Sequence, residues 1–424
     1  MTDAATPRTD AGPAAISVAG GELTLAQGLL AIVRPALDHL VPGGVLAVLS
    51  SAASVDQDLP SWCRAERHGY LDRSELEDGT VVHRIVRGRD GASPAPDGVE
   101  APLPIRDGRL LAADVLAAAP FPARADGGSG FAPRGARVEP GGPAYPFSVL
   151  ERDRAAPPEV AKLYDQAVSA VWDATRDIPW ATIRPLGEAH ERAVGQVMTF
   201  LAENELSALY VPAKFLHRIH PAYAETAMLI AAQLADEARH IDVFLKRARV
   251  AGGRLGVSTA VTSRSLLSLL ELEDFTEVSF LLSVLGEGTF LDLLRFVETH
   301  APDEATAMLA SKARADETRH VHFGLAHVRH ALATDPTTAD RLEAAVRRRS
   351  ARMGDVAGVP APLQDALTIL AAKGTEPKAV ARGHEAYREL LHEMAENREK
   401  RLIHAGFSPA RAQTLSDLHT PNFM

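Results

Sequence analysis

Along the second two thirds of the chain, apolar residues return every three to four positions, the period of a helix with one buried face. The pattern predicts helices over 158–175, 187–217, 222–251, 259–300, 302–333, 338–353, 361–373, 376–405 and 408–417. No sustained strand alternation interrupts them, so residues 151–424 are expected to form an all-α helical domain. Residues 21–88 alternate between shorter runs. "GELTL" and "GVLAVLS" read as strands, and "AQGLLAIVRPALDHL" reads as a helix despite Pro35. "SVDQDLPSWCRAERHG" reads as a short helix with Ser54 as its N-cap. "YLDRSEL" and "TVVHRIVRG" flank the "EDG" turn as a hairpin. The order β-α-β-α-β-β predicts a small α+β two-layer sandwich. Between the two domains, residues 89–150 are rich in Gly and Pro ("GRDGASPAPDG", "ADGGSGFAPRGARVEPGGPAYPF"). They read as a linker carrying one helix at "GRLLAADVLAAA". Residues 1–20 read as a flexible N-terminus.

Composition narrows the function classes. The chain has 424 residues, 46% hydrophobic and 24% charged, which fits a multidomain globular protein. A formal net charge of −10 argues against nucleic acid as a partner, because phosphate binding needs clustered positive charge. No signal-peptide pattern and no membrane-spanning apolar run stands out, so a cytoplasmic location with no membrane partner is expected. One cysteine, Cys63, excludes an internal disulfide framework and a Cys-rich metal site.

A repeated frame carries the chemistry. "DEARH" occupies 236–240 and "DETRH" occupies 316–320, 80 positions apart. A lone Glu-x-x-His means little in a chain with 28 Glu and 16 His, but two inside the same five-residue frame are a stronger signal. Glu at i and His at i+3 share one helix face, so both can reach one metal ion. In a four-helix bundle, two such helices and one Glu from each remaining helix make a site for two ions. The helix before His320 offers Glu287, on a face with Phe280, Val284, Phe290, Leu291 and Leu294, where a buried carboxylate needs a partner. The helix before His240 offers Glu203 and Glu205. Glu205 is the better candidate, because it shares a face with Val194, Val197, Met198, Leu201, Ala208 and Leu209. Glu203 faces Arg192, Thr199 and Tyr210. Paired imidazoles with carboxylates suit iron, manganese or zinc better than calcium or magnesium. His217, His220, His322 and His330 are expected to stay outside the site, Tyr210 to be a packed aromatic, and Arg239 and Arg319 to be structural ion-pair partners.

With these frames, residues 187–333 resemble the ferritin-like di-iron carboxylate superfamily, which includes ribonucleotide reductase small subunits, acyl carrier desaturases and multicomponent monooxygenases. The resemblance implies that Glu205, Glu237 and His240 hold one metal and Glu287, Glu317 and His320 the other, with some carboxylates bridging. These six residues would form the catalytic centre, and Asp236 and Asp316 would orient the histidines. The implied cofactor is two iron ions, with a Mn/Fe pair as the variant, and the implied activity is O2-dependent oxidation of a small organic substrate by hydroxylation, N-oxygenation or desaturation. The alternatives are an iron-handling ferroxidase and a metal-stabilised interaction protein without turnover. No flavin, nicotinamide or iron–sulfur motif is present, so an external electron donor, a reductase or electron carrier, is expected. Ala313 stands where some di-iron N-oxygenases carry an additional His. Ala202, Ala208, Ala310, Ala313 and Gly324 leave room for a substrate or pack helices closely. Residues 376–424 could cover the bundle or form a homodimer face.

The stretch "ALDHLVPGGVLAVLSSAASVDQDLPSWCRAERHGYL" resembles the TusA/SirA-like sulfur-carrier family. That family works through Cys-Pro-x-Pro at the start of its first helix. Here the corresponding residues are about "AQGL", with Ala26 near the thiol's place, and Cys63 lies in the second helix. The resemblance without its thiol implies a docking or packing module.

Overall fold

The computed structural model describes residues 14–88, 102–138, 142–353 and 358–419. They divide into two compact units. One comprises Met1–Pro102 with Gly128–Ala144, and the other Leu103–Gly127 with Tyr145–Met424.

The first unit runs β1 (Ile16–Gly21), α1 (Leu30–Asp38), β2 (Val45–Ser50), α2 (Val55–Ala65), β3 (Gly69–Glu75) and β4 (Val81–Val86). The sheet order is β1-β2-β4-β3, with β1 parallel to β2 and the other pairs antiparallel. β2 is central and almost wholly buried, as its unbroken apolar run requires. Leu29, Val33, Leu37, Val55, Leu59 and Cys63 close one face of the sheet over Leu46, Val48 and Ile85. The first strand lies earlier than the "GELTL" pattern predicts. Gly21 turns at φ +53°, and Thr24 then forms a capping box with Gln27, so those residues make a turn and a short 3-10 helix. Ser54 precedes α2 but its side chain makes no capping bond. Part of the Gly/Pro-rich stretch belongs to this unit, where Arg137 pairs with Asp38 at 2.7 Å.

The second unit contains α3 (Ala112–Ala117), α4 (Arg152–Ala155), α5 (Val160–Ser169), α6 (Glu188–Ala213), α7 (Ala224–Arg249), α8 (Ala260–Leu270) and α9 (Phe275–Val278). A π-helical segment (Ser279–Glu287) then leads into α10 (Gly288–His300). α11 (Glu304–Thr334), α12 (Thr338–Met353), α13 (Ala361–Ala372), α14 (Pro377–His404) and α15 (Pro409–Leu418) complete it. α6, α7, the π segment with α10, and α11 pack around one core. α13 lies on α6 and α14 on α10, so the C-terminal helices cover this bundle.

The single helix expected over 259–300 is instead broken. Asp274 caps a new start by accepting from the Thr276 and Glu277 N–H groups at 2.9 and 3.0 Å, which ends α8 and begins α9. α7 and α11 are tied end to start by Arg247, fully buried, which donates to Thr306 at 2.6 Å and pairs with Asp303 at 2.9 Å. Asp303 itself caps α11 through the Thr306 N–H. No helix among the described residues is long and apolar enough to cross a membrane.

Candidate metal centre

Each of the four packed helices delivers one piece of the cluster. α6 brings Glu205, α7 brings Glu237 and His240, the last π-helical position brings Glu287, and α11 brings Glu317 and His320. All six are at most 3% exposed. They fall into two overlapping groups: Glu205, Glu237, His240 and Glu317, and Glu237, Glu287, Glu317 and His320. Within each group one ligand atom per residue lies within 4.8 Å of every other. Glu237 and Glu317 belong to both groups, so the two positions would share two carboxylates.

Both imidazoles turn Nδ1 toward the carboxylates. His240 Nδ1 is 3.1 Å from Glu237, 3.4 Å from Glu317 and 3.7 Å from Glu205. His320 Nδ1 is 3.0 Å from Glu237 and 3.3 Å from Glu317. The opposite nitrogens meet a second acidic layer that crosses the bundle. His240 Nε2 is 3.2 Å from Asp316, and His320 Nε2 is 3.2 Å from Asp236. A proton on Nε2, donated to the aspartate, leaves the Nδ1 lone pair directed into the cluster. Arg239 and Arg319 each pair with both aspartates.

Trp172, in the irregular chain after α5, donates its indole N–H to Asp316 at 2.7 Å. Gln233, one turn before Glu237, donates to Glu287 at 3.3 Å. The sequence pattern had singled out neither. Gln233 was findable, because it precedes Glu237 by four positions on the same helix face. Trp172 was not, because no periodicity governs its segment.

Other expectations resolve residue by residue. Glu203 lies outside the cluster and accepts from Ser258 at 2.6 Å. His217 and His322 are exposed, and His330 faces Asp153. His220 is buried, where its Nδ1 accepts from the Ala222 N–H. Tyr210, expected to be packed, is 64% exposed. The space at Gly324 is filled: an added Cβ would lie 2.6 Å from Ser283 Cβ and 3.2 Å from the Ser279 carbonyl. That glycine serves close packing of α11 against the π segment and leaves no substrate room. Cys63 is buried, and burial pushes its thiol up to about 12, so it is inert at neutral pH.

The donor set fits a pair of cations. Glu205 Oε1, Glu287 Oε2 and Glu317 Oε1 are buried with no hydrogen-bond partner among the described residues. Burial, then repulsion from Glu317 and Glu237, raises Glu205 well above the ordinary carboxylate range. Burial and Glu317 raise Glu287 in the same way. Against burial, Asp316 and the surrounding glutamates raise His240, and Glu237 and Glu317 raise His320. Glu237 is held low by His320 and His240 despite its burial. Four carboxylates crowded out of water need protons or cations between them.

No family model and no curated protein matches this chain. Solved structures of R2-like ligand-binding oxidases do. One with an aerobically reconstituted Mn/Fe cofactor aligns at 16% identity over 58% of this chain and 92% of that chain, with a TM-score of 0.46. A point mutant with an Fe/Fe cofactor aligns at 16% identity over 58% and 93%, also at 0.46.

A cavity of about 490 Å³ opens beside the outer acidic layer, lined in part by Trp172, Thr175, Arg176, Arg239 and Asp242. Across Trp172, Arg239 and Lys312 each place a cation 5.6 Å from the ring.

Proposed function

We propose that the helical unit is a non-heme di-iron, or Mn/Fe, O2-dependent oxidoreductase of the ferritin-like kind, acting on a small organic substrate. The observation that carries this reading is the shared pair Glu237 and Glu317, which sets two four-residue metal positions side by side. Two redox-active ions held there would supply the electrons and open positions for reducing dioxygen.

The chain's own residues do the rest. Glu205 with His240, and Glu287 with His320, would terminate the two positions, and Glu237 and Glu317 would bridge them. Asp316 and Asp236 fix the imidazole tautomers from across the bundle, and Trp172, Arg239 and Arg319 hold those aspartates in place. All six side chains are buried in the apolar core of the bundle, which keeps bulk water from them. An external electron donor is needed for repeated turnover. The first unit, whose one thiol is buried, serves as a docking or packing module rather than a sulfur carrier.

The test is metal content after loading with iron or with manganese and iron, followed by anaerobic reduction and measured O2 uptake. Two ions per chain and reductant-dependent O2 uptake are expected. Uptake that stops after one round despite reductant would favour the iron-handling alternative. Fewer than two ions under every loading condition would remove the reading.

A further inference from the structure

A larger cavity lies on the far side of α6 from the carboxylate–histidine cluster. It holds about 620 Å³ and is walled by the first half of α6, by residues 254–257 between α7 and α8, and by α13. Gln196, in its α6 wall, precedes Glu205 by nine positions and so points about 180° away from it on the helix. The cavity and the cluster share a helix but not a face.

Hydrogen bonds fix the wall formed by residues 254–257. Gln196, 8% exposed, acts as a backbone partner for this strap: its Nε2 donates to the Val257 carbonyl at 2.9 Å, and its Oε1 accepts from the Val257 N–H at 2.8 Å. Thr199 Oγ1 accepts from the Gly256 N–H at 2.8 Å. Gly195 lets the strap lie directly on the helix, since a Cβ there would be 2.2 Å from the Arg254 carbonyl oxygen.

The side chains left on the walls are of two kinds. Leu255 is 37% exposed and Val257 60%, and Ile369 of α13 lines the same space half-buried. Arg192 and Arg254 also line it, both exposed, and neither guanidinium has a hydrogen bond or ion pair among the described residues. Asp365 is the one acid among the described lining residues and is likewise unpaired. Uncovered apolar surface and an excess of one positive charge therefore meet in one cavity.

We infer that this cavity binds a small amphipathic organic monoanion, whose carboxylate or sulfonate head is taken by Arg192 and Arg254 while its apolar body covers Leu255, Val257 and Ile369. The volume suits a small organic ligand. An inorganic anion would leave the apolar wall in water, and a neutral apolar molecule would leave both guanidinium groups unmatched. Binding here needs no metal.

Fluorescence titration of the full chain with anilinonaphthalene sulfonate, itself an amphipathic monoanion, tests this. One saturable site per chain is expected. Phenylbutyrate should displace the probe, phenylbutanol should do so at least about tenfold more weakly, and inorganic phosphate should not. Arg192→Gln and Arg254→Gln should each weaken binding about five- to tenfold, whereas Asp365→Asn should tighten it about two- to threefold. Ala189→Trp, at an exposed position lining the cavity, should fill the space and remove binding. No saturable binding up to about 1 mM probe would overturn the inference on the wild-type chain alone. Equal affinity in the wild type and all four folded variants would place the probe elsewhere and overturn the site.

Discussion

Asp316 and His240 are 76 positions apart in the chain, yet the aspartate meets the imidazole Nε2 at 3.2 Å. Asp236 and His320 repeat the contact in the other direction, also at 3.2 Å. Each histidine of the cluster is therefore oriented by the partner helix rather than by its own. Removing either carboxylate should release one ring and weaken metal binding without removing a ligand. Asp316→Ala and Asp236→Ala are each expected to lower metal affinity about 10- to 100-fold. Competition with a chelator measures this, and unchanged affinity in both variants would show that the rings are held by other means.

The shared carboxylates make an asymmetric prediction. Glu237→Ala or Glu317→Ala removes an oxygen donor from both positions, whereas Glu205→Ala or Glu287→Ala removes one from a single position. The first pair should lose both ions, and the second pair should retain about one ion per chain. Elemental analysis of each purified variant decides between this arrangement and two independent sites.

Metal loading should release protons. Before metal arrives, burial and mutual repulsion keep protons on Glu205 and Glu287, and the surrounding carboxylates keep them on His240 and His320. An ion must displace them, so affinity should rise as pH rises and fall on acidification. Metal titration in weak buffer with a pH indicator should register the release. Affinity independent of pH between 6 and 8 would contradict the assigned protonation.

His327 gives a separate acid dependence. Its Nε2 lies 3.0 Å from Thr276 Oγ1, and burial pushes its pKa from 6.5 down to about 4. The folded protein keeps this ring neutral while the unfolded chain protonates it. Stability is therefore lost as pH falls from 6.5 toward 4, by up to about 3 kcal/mol. His327→Phe should flatten this part of the denaturation profile relative to the wild type, and an identical slope in both would refute the assignment.

Gly324 tests the packing that presents Glu287. A methyl group there has no room against Ser283 and Ser279, so Gly324→Ala should destabilise the protein by about 1–3 kcal/mol. Displacement of the π segment should also lower metal content. Thermal melts and elemental analysis check the two effects separately.

The buried carboxylate–histidine cluster was unusually readable in the sequence because the frame repeats as a unit. Glu389 and His392 also form Glu-x-x-His, yet His392 is largely exposed on α14 and pairs with Glu396. The spacing alone was therefore not the signal. The helical angle also separated Glu205 from Glu203, since one faces the core and the other Ser258. What periodicity missed were departures from the ideal helix. The break at Asp274 rests on local capping, and the π segment that ends at Glu287 puts more residues into each turn than a uniform 3.6-residue pattern registers. Trp172 joins the site through tertiary placement of an irregular segment, and no local pattern encodes that.

The first unit is assembled from two stretches of chain, with Leu103–Gly127 spent in the other unit between them. During synthesis, its β-sheet can form early, but Asp38 must wait for Arg137, about a hundred residues later, to emerge. A cut at residue 90 would therefore not yield a complete first unit. Limited proteolysis or truncation has to respect both crossings, near 102 and near 128–144, because the order of the sequence and the order of assembly differ here.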